Sequence, residues 1–428
     1  MNHSKTNAVK AVRCHRFASV VPKPTNENQK QKQKRILFQP RKPKPLRLRD
    51  CLALGEIPYP TLPKKRKGTW VVIKTEYAGI QYPDALQARG LYQIKPRLPY
   101  IPGMDAVGIV LKVVLPTHNS RNRAPNYHSI QNVDLKPGDR VMATTLEFGG
   151  TGGLSEVVLS PLKYVFKLPP PSPTTSIQIS NSNRYGAMFA NIGRNYFAAY
   201  HALVEVGQID PSQSASINAS KIVLVTGGSG GVGMATIELA KAMGCIVVAG
   251  VGSPSKSSGP ASVGADAVFC YGRTKPQHRA FRKHVTTFCH QQRTAGVDLV
   301  VDVVMGDLFQ DALVGCLKPL GTIALVGFAA GQRAIKPGIL LVKEARVAGS
   351  IWLSIAVQAS ESNKNNKYYT MVNTILGYLA SGKIRGRVDK IVPVSRFIEA
   401  FEIFEENKGR GNTVVSFVDE KNGSRSRL

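Results

Sequence analysis

Residues 221–243 read KIVLVTGGSGGVGMATIELAKAM. An apolar run, a glycine-dense bend and a helix-period run follow one another without a gap. Lys221–Thr226 is β-branched enough to predict a strand. Read from Gly228, the bend fits GxGxxG: Gly228 permits the tight turn, Gly230 lets backbone approach a pyrophosphate, and Gly233 lets helix pack on strand. With Gly231 and Val232 between them, these residues open a helix whose first N–H groups present positive partial charge to an anion. Val232, Ala235, Leu239, Ala240 and Met243 fall at i, i+3, i+7, i+8 and i+11, which predicts one buried stripe with Glu238 and Lys241 pointing elsewhere.

Working outward, apolar runs at 245–250, 267–271, 297–304, 321–327 and 346–352 alternate with helical segments. Nearly continuous apolar strands separated by helices predict a parallel sheet covered on both faces, a doubly wound α/β domain of the Rossmann type. Residues 8–186 read differently. Short strands at 70–76, 106–114, 139–143 and 154–159, punctuated by Pro and Gly, predict an all-β, barrel-like module. After 356 the pattern gives a helix (372–381), a strand (387–394), a helix (396–407) and a last strand (413–418). The expected division is 1–190, 191–355 and 356–428, the last segment returning to the first module.

Which dinucleotide the bend holds depends on what lies about 20 residues beyond it, where an NAD site places Asp or Glu on the ribose 2′-hydroxyl. No carboxylate stands there. The second strand ends in Gly250, Val251, Gly252, Ser253, Pro254, Ser255 and Lys256, and the next acidic residue is Asp266. A hydroxyl (Ser253) and an ammonium (Lys256) suit a 2′-phosphate, so NADPH is expected over NADH. The competing reading of Lys256 is an ordinary exposed lysine at a helix start.

The chain has 428 residues, 43% of them hydrophobic, and a formal charge of +30. That length and apolar content exclude fibrous and wholly disordered classes, and no apolar run reaches the roughly 18–20 residues of a membrane-spanning helix. Residues 1–70 carry a net +15, concentrated in Lys30–Arg49 and Lys64–Lys67. Such a run attracts nucleic acid or an acidic surface, or is simply a solvated insertion. Stretches at 17–45, 116–134 and 171–184 read as surface insertions. The six cysteines (Cys14, Cys51, Cys245, Cys270, Cys289, Cys316) form no CxxC pair and no metal-ligand spacing with histidine, so free thiols and no bound metal are expected.

At this point the sequence resembles the medium-chain dehydrogenase/reductase superfamily, specifically its zinc-free quinone oxidoreductase-like and enoyl reductase branch. The likeness runs through Ala8–Phe17, 79–92 (GIQYPDALQARGLY), 101–108 (IPGMDAVG), 136–141 (KPGDRV), 152–158, 195–203 (NYFAAYHAL) and the glycine bend. It implies a GroES-like β-barrel catalytic domain beside the Rossmann domain. In zinc-dependent relatives a Cys occupies the position of Gln81 and a His that of Met104, so the resemblance implies metal-free hydride transfer. By the same likeness, Gly230, Gly231, Val232 and Gly233 hold the pyrophosphate. Lys256 and Tyr271 match 2′-phosphate contacts, Gly327 and Phe328 lie by the nicotinamide ribose, and Gly411 with Asn412 match a closing Gly-Lys pair. Asn412 in place of Lys, Ala198 in place of a frequent Thr and Gln81 in place of a common Asn are departures.

The expected reaction reduces quinones or activated C=C bonds of a small electrophile. Tyr92 matches a tyrosine used as proton donor, and a phenol with a pKa near 10 donates at neutral pH without first being charged. Gln81 would add an amide donor to the same oxygen. The alternative for Tyr92 is a wall residue against the substrate. A homodimer is implied, paired through an edge strand near 351–355 (IWLSI). Ser426, Arg427 and Leu428 form a variant of the terminal peroxisomal address, implying an import receptor as partner and a peroxisomal location, with cytoplasm the alternative. The competing class of function is a protein that keeps NADPH as a ligand while its basic insertion binds nucleic acid or an acidic surface.

Overall fold

The computed structural model describes residues 8–17, 47–62, 68–93, 95–116, 135–145, 152–170, 182–212, 215–359, 366–405 and 411–418. The basic run 17–45, apart from Phe17, and the tail 426–428 lie outside these residues, as do most of the two other insertions.

The first module contains β1 (Ala8–Cys14), β2 (Leu52–Pro58), β3 (Trp70–Ile80), β4 (Asp105–Val114), β5 (Arg140–Thr144), β6 (Val157–Pro161) and β7 (Val165–Lys167). A short helix, α1 (Tyr82–Ala88), follows β3. β1 and β2 pair antiparallel in a two-stranded sheet. β3 is the hub of the larger sheet, pairing with β4 along one edge and with β6 at its start.

The second module is parallel, as expected from its continuous apolar strands. β8 (Ile222–Val225), β9 (Ile246–Val251), β10 (Ala267–Cys270), β11 (Val297–Asp302), β12 (Leu317–Leu325) and β13 (Arg346–Gly349) lie in the order β10-β9-β8-β11-β12-β13. The chain winds outward from β8 in one direction and then from β11 in the other, so the crevice between the C-terminal ends of β8 and β11 is the switch point where such sheets bind ligands. α2 (Gly231–Ala242) follows β8, α3 (Lys275–Gln291) follows β10, and α4 (Pro337–Lys343) precedes β13.

Beyond β13 the chain forms α5 (Lys367–Ala380), β14 (Lys390–Pro393), α6 (Ile398–Glu405) and β15 (Thr413–Ser416). β15 pairs antiparallel with β3, which carries the last strands back into the first sheet. α5 starts five residues before the periodicity indicates, because the Asn366 side chain caps it by accepting from the Tyr368 N–H at 2.8 Å.

Two expectations fail. Residues 351–355 are not an edge strand: β13 ends at Gly349 and Leu353–Val357 is helical. Trp352 turns inward instead and packs edge-on against Phe197 at 5.2 Å, a contact a straight strand would forfeit. Nor is α2 buried on one stripe only. Gly233 through Ala240 are all buried, including Glu238, which accepts a hydrogen bond from the Tyr196 hydroxyl. The helix is covered on its far side by the 192–206 segment, so its second face needed a polar partner rather than water.

One core crosses the junction. Tyr77, Val107 and Met142 of the first sheet share a buried cluster with Val223, Val225 and Val247 of the second. Tyr368 stands at its centre, with Phe166 and Phe197 each 5.7 Å away in edge geometry. Such aromatic pairs add about 0.5–1.5 kcal/mol each beyond area burial, which holds the two modules in a defined relation.

Candidate active site

The bend between β8 and α2 is built as the glycine pattern requires. Gly227 is left-handed (φ 60°), and the Gly228 N–H donates to the Gly250 carbonyl at 2.9 Å, closing the bend onto the end of β9. A Cβ on Gly233 would lie 2.3 Å from the Gly227 carbonyl oxygen, so only glycine lets α2 approach this closely. α2 is capped by Gly230 without any side-chain hydrogen bond. The N–H groups of Gly231, Val232 and Gly233 therefore have no acceptor among the described residues, and they sit at the positive end of a twelve-residue helix. Three unspent donors at a cradle that admits no side chain fit a pyrophosphate.

Two asparagines roof this cradle. Asn195 Nδ2 donates to Asn412 Oδ1 at 2.5 Å, and a Cβ on Gly231 would come within 2.5 and 2.6 Å of those two atoms. Asn412 is held in turn by its own N–H on Asp389 Oδ2 (2.7 Å) and its Nδ2 on the Arg387 carbonyl (2.8 Å). Gly411 bridges to Gly230 and donates to the Ser229 carbonyl at 3.1 Å. Asn412, the residue before β15, is thus brought to the glycine bend.

Around the crevice, Asp302 ends β11 and its Oδ1 accepts from Thr226 Oγ1 (2.6 Å) and from the N–H groups of Val304 and Met305 (2.9 and 3.0 Å). Burial raises its pKa while these donors pull it down. At the end of β9, Ser253 precedes the turn Pro254–Lys256, its hydroxyl 3.1 Å from that of Ser255. Both Ser253 and Lys256 are half-buried there. Tyr271 packs its ring on Gly250, the position a Cβ would take lying 3.3 Å from ring carbon Cδ1, and burial pushes its phenol up to about 12. Gly327 and Phe328 follow β12. The Gly327 N–H reaches the Asp302 carbonyl at 3.3 Å, and Phe328 is 38% exposed, a large apolar ring offered to solvent.

Across from this crevice the first module presents a buried polar cluster. Gln81 caps α1, its N–H donating to Asp84 Oδ2 at 2.8 Å. Its side-chain Nε2 donates to Asp105 Oδ2 (3.2 Å) and Asn191 Oδ1 (3.3 Å). Both amide hydrogens are spent, so Gln81 has none left for a substrate oxygen: it positions Asp105 and Asn191 instead. Arg194 donates to Asp84 Oδ2 at 2.8 Å with both side chains buried. Burial works against the Arg194 charge, but Asp84, Asp105 and Tyr92 outweigh it. Burial likewise pushes the Asp105 carboxyl up to about 7, Arg194 lowers it and Asp84 raises it. Tyr92 lies half-buried on the loop after α1, within reach of the Arg194 field.

The structure thus gathers the glycine bend and Asn412, places Ser253, Lys256 and Tyr271 at the end of β9, and sets Gly327 and Phe328 by Asp302. Asp84, Asp105, Asn191, Arg194, Asn195, Thr226 and Asp302 were not singled out from sequence. NIGRN at 191–195 carried a signal, three polar side chains within an otherwise apolar helical stretch.

Comparison with known proteins agrees with this layout. The alcohol dehydrogenase GroES-like domain family matches residues 67–170, and the zinc-binding dehydrogenase family matches residues 231–373. The chain belongs to the medium-chain dehydrogenase/reductase superfamily of oxidoreductases. A quinone oxidoreductase-like protein 2 homolog of Nematostella vectensis is 26% identical over 348 residues, covering 81% of each chain. Among solved structures, a mycobacterial protein complexed with NADPH superposes with a TM-score of 0.66 at 19% identity, covering 95% of this chain and 99% of that one. CurK enoyl reductase superposes with a TM-score of 0.65 at 18% identity, covering 96% and 99%. These two likenesses show the Rossmann and GroES-like fold. In this member of the superfamily, Gln81 and Met104 offer an amide and a thioether where sulfur and imidazole would bind zinc, and that donor set does not fit the metal.

Proposed function

We propose that the protein is an NADPH-dependent reductase that transfers hydride, without a metal, to quinones or to activated C=C bonds. One observation carries the reading: three unspent N–H donors at the start of α2 face a cradle closed by Asn195 and Asn412, and the end of β9 offers Ser253 and Lys256 with no carboxylate. When bound, NADPH supplies the hydride.

The chain's own residues do the rest. The α2 N–H groups take the pyrophosphate charge, and Lys256 with Ser253 takes the 2′-phosphate, where an Asp or Glu would repel it. Phe328 offers an apolar ring at the end of β12. Reduction leaves an enolate or hydroquinone anion that needs a proton, and Tyr92, half-buried on the loop after α1, is the phenol assigned to supply it. Donation from Tyr92 neutralises that anion, and solvent returns the proton to Tyr92.

The outer edge of β13, unpaired among the described residues, and the exposed Leu341, Val342, Ile351 and Val357 support a homodimer joined along this edge. Ser426–Leu428 support peroxisomal import. A C-terminal fusion that masks them should keep the protein in the cytoplasm, and an unchanged distribution would end that idea.

The test of the activity is NADPH oxidation followed by absorbance against a panel of quinones, enones, enals and enoyl thioesters. Saturable turnover with at least one acceptor is expected. A panel that gives none, with NADPH bound, would leave a cofactor-binding protein without this chemistry.

A further inference from the structure

A concavity of about 670 Å³ lies on the outer surface of the parallel-sheet module, and none of its lining residues belongs to the nucleotide site. Lys275, Arg279 and Arg282 of α3 line it together with Gln310, Asp311 and Lys336. Its charge follows from how α3 sits. Phe281, Val285 and Cys289 are buried against the sheet, which fixes the rotation of the helix. Lys275, Arg279 and Arg282, at i, i+4 and i+7, then share the neighbouring face. The seventeen residues of α3 contain no Asp or Glu to offset them.

Elsewhere in the same module cations are paired. Lys241 sits on Asp266, Lys221 and Lys318 on Asp298, and Arg333 on Asp307. None of the four cations of the groove lies within salt-bridge distance of a carboxylate among the described residues. The single carboxylate on the wall, Asp311, is engaged by His278 Nδ1 at 2.9 Å. A fifth cation presses from behind. Lys343 donates to the Gly315 carbonyl, and burial, with Arg282 adding its repulsion, lowers its pKa. Like charges gathered on a concave wall raise a positive potential that only an incoming anion relieves.

We propose that this groove is a second anion site, which takes a small molecule carrying two or more phosphate groups. Its volume falls within the range of about 300–1,000 Å³ that holds small ligands. The two guanidinium forks match phosphate oxygens bidentately, and Lys275 and Lys336 add point charges at the rim. The proposal is independent of the reductase reading.

Isothermal titration with inorganic tripolyphosphate at constant ionic strength tests it, because the nucleotide bend is the other phosphate site and can be mutated separately. The expected result is a saturable site whose Kd rises at least tenfold in Arg279→Glu/Arg282→Glu and in Lys336→Glu, and stays put in Lys256→Ala. Lys336 lies outside any helix or strand, so its variant keeps the test meaningful if the α3 double variant folds poorly. Binding that survives undiminished in both groove variants would place the anion elsewhere, the α2 N–H cradle included, and overturn the proposal. So would a single-stranded RNA that binds where tripolyphosphate does not.

Discussion

Asp84 Oδ2 accepts from an Arg194 guanidinium N–H and from the Gln81 backbone N–H, each at 2.8 Å, so one buried carboxylate oxygen joins the 192–206 helical segment to the first module. Removing one partner of such a pair strands the other's charge out of water. Arg194→Leu should therefore cost about 3–5 kcal/mol of stability by urea unfolding. The double variant Arg194→Leu/Asp84→Asn should lose less than the two single losses combined. Additive losses would mean the two side chains are not coupled.

The Asp105 carboxyl, pushed up to about 7 from 3.8 mainly by burial, makes stability depend on pH. Between those values the folded chain holds a proton that the unfolded chain has released, so stability falls as pH rises through that window and levels off above about 7. Asp105→Asn has no such ionisation. Its melting temperature relative to wild type should climb from pH 4.5 to 7.5, and parallel curves would show that Asp105 is ionised throughout.

A methyl group at position 231 would sit 2.5 Å from Asn195 Nδ2 and 2.6 Å from Asn412 Oδ1. Gly231→Ala should push the asparagine pair apart, costing about 1–3 kcal/mol as overpacking does, and weaken NADPH binding. Adding Asn412→Ala should restore the lost stability but not the binding. A double variant as unstable as Gly231→Ala would place the strain elsewhere.

Much of this was legible in the sequence. Continuous β-branched runs foretold the parallel sheet because both of its faces are covered, and the glycine spacing foretold the bend because no other residue fits at Gly233. The polar cluster was not legible. Gln81, Asp84 and Asp105 lie in one stretch and Asn191 and Arg194 in another that begins 86 residues after Asp105, and only the second carries a local signal, its polar side chains within an apolar helical run. Glu238 misled for a related reason: helical period says which residues share a face, but not how many faces a neighbouring segment will cover. At 351–355 the pattern IWLSI fits strand and helix alike, and the decision fell to the tertiary contact between Trp352 and Phe197.

Tyr92→Phe removes the hydroxyl and leaves the ring. If the phenol donates the proton, kcat should fall by about a hundredfold, the low end of what general acids contribute, with NADPH affinity unchanged. A variant with wild-type kcat would make Tyr92 a wall residue.

The reading of the glycine bend requires a dinucleotide carrying a 2′-phosphate. Calorimetric titration of NADPH and NADH into the wild type and Lys256→Ala tests it most directly. Saturable binding is expected in which NADPH is at least tenfold tighter than NADH, a preference that Lys256→Ala largely abolishes by weakening NADPH alone, since a charge-assisted hydrogen bond is worth about 1.5–3 kcal/mol. Equal affinities for the two dinucleotides, or no saturable binding of either, would contradict it.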